Sequence, residues 1–150
     1  MESRGEDMQR YSDDELLDLW SRIFQRRGHA TANTQLLPDV RSVRGSLFEG
    51  NGVDSERLVL VSESRGGTMA LTTRRVMWDV ARSRHEVQLV DIAGVRPSGF
   101  GAKPKLELDA LDLTLVNGVI ATIPIESGGP LVGLHSVIIN VVARNRAAPI

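Results

Sequence analysis

The sequence predicts a mainly β domain with two helices: about seven antiparallel strands closed by a C-terminal helix and preceded by an amphipathic helix. Three observations lead there. A capped stretch with helical apolar spacing ends at Arg27. From Arg57 the apolar period shortens to two, with turns every 8–12 residues, the mark of a meander sandwich or barrel. A Gly128-Gly129-Pro130 step then opens a second helical stripe. The 150 residues suit one domain with appendages. The expected divisions are a flexible N-terminus over 1–12, the amphipathic helix over 13–28, a linker with short packed pieces over 29–56, the β domain over 57–146 and a tail over 147–150.

The first helix is expected over Asp13–Arg27. Ser12-x-x-Glu15 is a capping box, in which the Ser hydroxyl accepts from an orphan amide and the Glu reaches back to the cap. Asp13, Asp14 and Glu15 complement the positive end of the helix dipole, and Arg26 and Arg27 the negative end. Gly28 is expected to supply a left-handed stop. Leu16, Leu17, Trp20, Ile23 and Phe24 share one face, which docks either on the chain's own core or on another subunit. Residues 29–56 show turn vocabulary with packed pieces around Leu36, Leu37, Val40 and Val43 and a poor helix over 39–48.

The strands follow. Arg57–Glu63 is apolar and β-branched; Ser64–Gly67 is a turn; Thr68–Thr73 resumes, and Arg74-Arg75 passes into Val76–Trp78. Ala81–Arg84 turns the chain into His85–Leu89, and a fifth strand near Ile92–Arg96 ends at Pro97-Ser98-Gly99. Between Leu106 and Val116 the apolar parity moves from even to odd, which predicts a β-bulge near Ala110. Asn117-Gly118 is the strongest hairpin signal in the chain and leads into Val119–Ile125. Pro130 suits the first position of a helix over Leu131–Arg144. Its inward stripe is Leu131, Leu134, Ile138, Val141 and Val142. Val132 and Ile139 are apolar beyond what one face requires.

Composition narrows the function. Apolar residues at 41% and charged residues at 25% exclude wholesale disorder. The absence of Cys excludes disulfides, thiolate nucleophiles and Cys-based metal sites. No apolar run approaches the roughly 20 residues of a membrane-spanning helix. The acidic, polar start is unlike a secretory signal, so a cytoplasmic protein is expected. Aromatics make up 4% and the net charge is −1, which argues against nucleic acid. Of 18 basic residues 16 are Arg, a bias that fits a GC-rich bacterial genome. Residues 1–56 hold 7 basic against 11 acidic side chains, 57–105 hold 9 against 4, and 106–150 hold 2 against 4. A basic middle segment can make an anion-attracting face.

Catalysis finds little support. His29, His85 and His135 lack metal-ligand spacing, and no nucleophile elbow or phosphate-binding loop occurs. Gly99–Lys105 carries two glycines and two lysines, but Pro104 forbids the helix a phosphate cradle needs. Glu107, Asp109 and Asp112 read as a solvated strand face. No enzyme activity, cofactor or metal is expected.

Two stretches carry a family resemblance. Met69–Trp78 (MALTTRRVMW) resembles the Ala/Leu-Thr-x-x-Arg strand–turn–strand of bacterial pleckstrin-homology-like (PH-like) and GRAM-type domains. His85–Val95 (HEVQLVDIAGV) is similar to that family's next signature, a short strand and an Asp-Ile step into strand five. The resemblance covers roughly 55–146 and implies a PH-like barrel of about seven strands closed by the C-terminal helix.

Two site expectations result. In an up-and-down meander the first and third hairpin loops emerge at one end. That end gathers Arg65, Arg82, Arg84 and His85 as an anion site, with the Gly66-Gly67 amides nearby. PH-like domains that bind lipid headgroups use this end, so the resemblance adds anionic lipid as a ligand. Leu17, Trp20, Phe24, Val132 and Ile139 form the expected partner or oligomer face. The functional expectation is a non-catalytic PH-like interaction module acting by homo-oligomerisation or protein docking. The alternative is peripheral binding of anionic membrane lipid or another phosphate ligand at the basic hairpin end.

Overall fold

A computed structural model describes residues 11–36, 55–104 and 107–147. The expectations for 1–10, for the tail beyond Ala147, and for Leu37, Val40, Val43 and a helix over 39–48 lie outside the described residues.

Helix α1 spans Asp13–Arg27 with both halves of the capping box made. Glu15 N donates to Ser12 Oγ at 3.1 Å and Ser12 N to Glu15 Oε1 at 2.8 Å. Gly28 corrects the sequence reading. Its backbone is extended, φ −137°, not left-handed. A Cβ there would collide with the Gly129 carbonyl oxygen and lie 2.8 Å from Gly133 Cα. The glycine serves a close approach between chain segments, not a turn.

The β region forms two antiparallel sheets. The first has the order β1 (Thr34–Leu36), β2 (Leu58–Ser64), β3 (Gly67–Thr72), β4 (Arg75–Val80) and β5 (Ser83–Gln88). The second is β6 (Ile92–Pro97), β7 (Ala110–Leu115) and β8 (Ile120–Pro124). A single 3-10 turn, Leu89–Asp91, joins them. Eight strands replace the expected seven because Thr34–Leu36 pairs with β2, so part of the expected linker is an edge strand. No hydrogen-bonded ladder closes the two sheets into a barrel among the described residues. A polar corner ties them instead: Thr31 and Thr34 hydroxyls donate to Glu126 Oε1 at 2.5 and 2.6 Å, and Glu126 N donates to Ser62 Oγ.

The parity change near Ala110 is real, but its cause is not a bulge. Leu108 is buried in irregular chain, and β7 starts only at Ala110 with an unbroken register to β8. The ladder irregularities fall at Leu58/Leu60 and Ile92/Gly94. Leu115 N donates to Val119 O, and the three residues between that closing pair include Gly118 at φ 88°. That geometry matches a three-residue hairpin with glycine in the left-handed position.

Helix α2, Gly129–Ala147, closes the molecule. Its buried face adds Gly133 and Val137 to the expected stripe. Helix α1 packs against it rather than on another subunit. Trp20 and Phe24 are fully buried, each burial stabilising the fold by about 2–3 kcal/mol. The Trp20 indole N–H is satisfied by Asn140 Oδ1 at 3.0 Å. Gly133 is where the Phe24 ring seats, since a Cβ would lie 2.7 Å from Cδ2. At the far end Asn145 Nδ2 donates to the Leu89 and Ile92 carbonyls at 2.8 and 2.9 Å, pinning α2 to the entry of β6.

Candidate functional site

The densest charged cluster is structural. Thr72 Oγ1 accepts from the Arg74 and Arg75 amides, so the threonine hydroxyl shapes the β3–β4 turn. That turn aims two arginines at carboxylates. Arg74 bonds Asp13 on α1 through Nε and Nη2, both at 2.8 Å. Buried Arg75 bridges Glu56 and Glu86, each at 2.9 Å, and its Nη2 has no hydrogen-bond partner among the described residues. Neither arginine pairs with nearby Asp79, which faces Arg84 at 3.7 Å. The hydrogen bond from Arg74 holds the Asp13 carboxyl well below the usual range, against burial, which pushes it up. The same bond raises the Arg74 guanidinium further above its ordinary value. This network is a clamp between α1 and the first sheet.

The basic hairpin end does not converge into an anion site. The β2–β3 and β4–β5 turns, at Arg65-Gly66 and Ala81-Arg82, do emerge at one end. They stand about two strand spacings apart, roughly 10 Å. Adjacent strand residues point to opposite faces. His85 therefore lies opposite Trp78 and stacks on it with ring centroids 5.3 Å apart. Arg84 lies opposite Asp79 on the other face. Arg65 lines a cavity of about 550 Å³ together with Glu63, Glu107, Asp109 and Glu126. Carboxylates surround it, the reverse of a phosphate site. Arg82 projects from the turn at φ 70°, next to Ala81 at φ 50°.

The expected partner face splits as well. Trp20 and Phe24 are corrected to core residues of this chain, and Leu17 packs partly against that core. Amphipathic spacing marked the face rightly, but α2 covers it. Val132 and Ile139 remain 46% and 49% exposed on the outer flank of α2. They are seven residues apart, two helical turns, and so share one face. From Gly129 to Ala143 the helix carries no Asp, Glu, Lys or Arg. A surface helix ordinarily presents a charged stripe to water.

A groove of about 600 Å³ adjoins this flank, lined by Val95, Pro97, Phe100, Leu108, Leu131 and Val132, with Arg96 and His135 also on its wall. β6 is an outer strand of its sheet, and Pro97, which lacks an N–H, ends it. Burial lowers the His135 imidazole below its ordinary value, and the Val95 backbone beside it opposes that shift. Sequence reading marked Val132 but missed the groove, because β6, Phe100, Leu108 and α2 meet only in the fold. The one readable signal was Phe100, a large aromatic set between loop glycines.

No protein-family profile and no curated protein matches the chain. A solved structure, the Inner Membrane Complex sub-compartment protein 3 from Toxoplasma gondii, aligns over 90% of this chain and 89% of that chain. The two share 14% identity with a TM-score of 0.41, a likeness too slight to relate them in fold or function. No described helix is long and apolar enough to cross a membrane.

Proposed function

We propose that the chain is a non-catalytic PH-like interaction module that works through the outer flank of α2, pairing with a second copy or docking onto a protein partner. The observation that carries this reading is the uncharged run Gly129–Ala143, whose outer side leaves Val132 and Ile139 in water. Covering two such side chains recovers a few kcal/mol of apolar burial, enough to matter in a weak or transient interface. The two antiparallel sheets followed by a C-terminal helix are compatible with a PH-like arrangement.

The reading of the hairpin end as a lipid or phosphate site has less support, because Arg84 faces Asp79 and Arg65 sits among carboxylates. A photo-crosslinking amino acid at Ile139, introduced in the native host, tests the flank directly. An adduct of twice the chain mass identifies self-pairing, and one of another mass identifies a protein partner. Loss of either adduct on Val132→Glu is expected. Absence of any adduct overturns the proposal.

A further inference from the structure

We propose that the outer face of the first sheet is the seat of the chain's own segment 37–54, which lies across β2, β3 and β4 and is held there by its apolar side chains. This is independent of the docking reading of α2. Both helices and the second sheet share one core with the inner face of the first sheet, where Leu60, Leu71 and Trp78 point. An antiparallel sheet packed on one face ordinarily leaves the other in water. Here the other face is dry. Val61, Ala70 and Met77 are cross-strand neighbours in one row, and with Leu58 they form a second apolar cluster. That cluster contains residues of β2, β3 and β4 alone, yet Met77 is 1% exposed and Val61 and Ala70 are buried. Neighbours in the plane of a sheet cannot dry a methionine that stands perpendicular to it, so chain lies above. The same face hides charge. Arg75, two residues before Met77 and so on its side of β4, is 9% exposed, and its partner Glu56 is 2% exposed. Glu86, next in the row beyond Met77, is 40% exposed, so the cover stops short of β5.

These side chains are dry within a single chain, so the chain itself supplies the cover. Outside the described residues it has 1–10, 37–54, 105–106 and 148–150. Segment 1–10 enters at Tyr11, which lies against Arg144 of α2, and its only apolar residues are Met1 and Met8. The three residues 148–150 follow α2, and 105–106 are two residues between β6 and β7. Segment 37–54 alone leaves from this sheet and returns to it. β1 ends at Leu36, paired with Leu60, and β2 begins at Leu58. Its eighteen residues can span up to about 60 Å, several times the roughly 10 Å from β2 to β4. It carries Leu37, Val40, Val43, Leu47, Phe48 and Val53. Spacings of three and four place Val40, Val43 and Leu47 on one face of the helix expected over 39–48, an apolar stripe matched to an apolar row.

Methyl NMR of the full natural chain tests the seat, because Met77 on β4 and Met69 on β3 point to opposite faces. With Met, Leu and Val methyls labelled, nuclear Overhauser contacts are expected from the Met77 methyl to Val40, Val43 or Leu47. The Met69 methyl should show contacts to the core and none to the segment. A second readout uses the absence of natural cysteine. Met77→Cys provides a single thiol, expected to react with a disulfide reagent at least about tenfold faster once Val40→Asp and Val43→Asp are added, the least that loss of one buried valine implies. Met69→Cys, on the inner face, should gain less. A Met77 methyl without contacts to 37–54 overturns the proposal. So do contacts to residues 1–10 in their place, or contacts seen only between differently labelled copies, which would make a second copy the cover. Equal Met77→Cys reactivity with and without the two aspartates overturns it as well. The docking reading is untouched by any of these results.

Discussion

Asp13 shows how much one side chain can carry. At the start of α1 it complements the helix dipole. Its carboxylate also accepts from Thr73 Oγ1 at 2.5 Å and from Arg74 twice. Its folded pKa lies below the ordinary 3.8, so the folded state binds fewer protons than the unfolded chain in acid. The stabilisation is therefore complete above about pH 4 and lost as pH falls further. Arg74 is half exposed, so solvent screening reduces the pair, and Asp13→Asn should cost about 1–2 kcal/mol at pH 7. Urea denaturation of both proteins from pH 7 to pH 2 is expected to show that difference shrinking below pH 4. A constant difference across the range contradicts the ion-pair account. Ala81 and Arg82 illustrate the opposite case, local strain. Both have positive φ in a two-residue hairpin turn, where Asn-Gly is the favoured pair. Arg82→Gly should raise the denaturation midpoint, with a gain of up to about 1 kcal/mol. A loss of stability instead would assign the Arg82 side chain a contact of its own.

At the scale of elements, the contact between α1 and α2 depends on two glycines far apart in sequence. Gly28→Ala places a methyl against the Gly129 carbonyl, and Gly133→Ala places one against the Phe24 ring. Each should cost about 1–3 kcal/mol by overpacking, read as a lower thermal midpoint with retained helical circular dichroism. Midpoints equal to that of the natural chain would mean the helices separate freely. This interface also marks what the sequence could say. Helix α1 was legible to the residue, because caps and periodicity are local signals. The β2–β5 meander was legible because short turns fix antiparallel neighbours. The role of Gly28 was not, since the backbone that excludes a side chain there lies about a hundred residues downstream. Likewise the stripe holding Trp20 and Phe24 announced that something covers it, and only the fold names α2. The parity shift at Ala110 was visible, but period alone cannot separate a bulge from a strand that starts late. Strand β1, three residues long, is too short for periodicity to reveal. Of the four residues expected at the anion site, Arg84 and His85 were separable in principle, because neighbours in a strand face opposite sides.

For the whole molecule, the charge pattern along the chain changes meaning on folding. The acidic segment 1–56 and the basic segment 57–105 neutralise each other through particular pairs. Asp13 meets Arg74, Asp14 meets Arg57 at 2.9 Å, and Glu56 meets Arg75. Within the basic segment, Arg75 also meets Glu86, and Arg84 meets Asp79. The positive surplus is thus spent on internal clamps, and Arg65 and Arg82 are left at the hairpin end without a convergent partner set. A surface that attracts anionic lipid gains about 1 kcal/mol per apposed cation. Two arginines some 10 Å apart, one of them among four carboxylates, fall well short of stable attachment. Co-sedimentation with vesicles of phosphatidylserine and phosphatidylcholine should therefore recover little protein even at 20 mM salt. The double variant Arg65→Glu with Arg82→Glu should behave as the natural chain does. Substantial binding at 20 mM salt that fades at 150 mM, and that the double variant loses, would restore the hairpin end as a membrane site, because screening over a Debye length of about 8 Å acts on that kind of surface attraction.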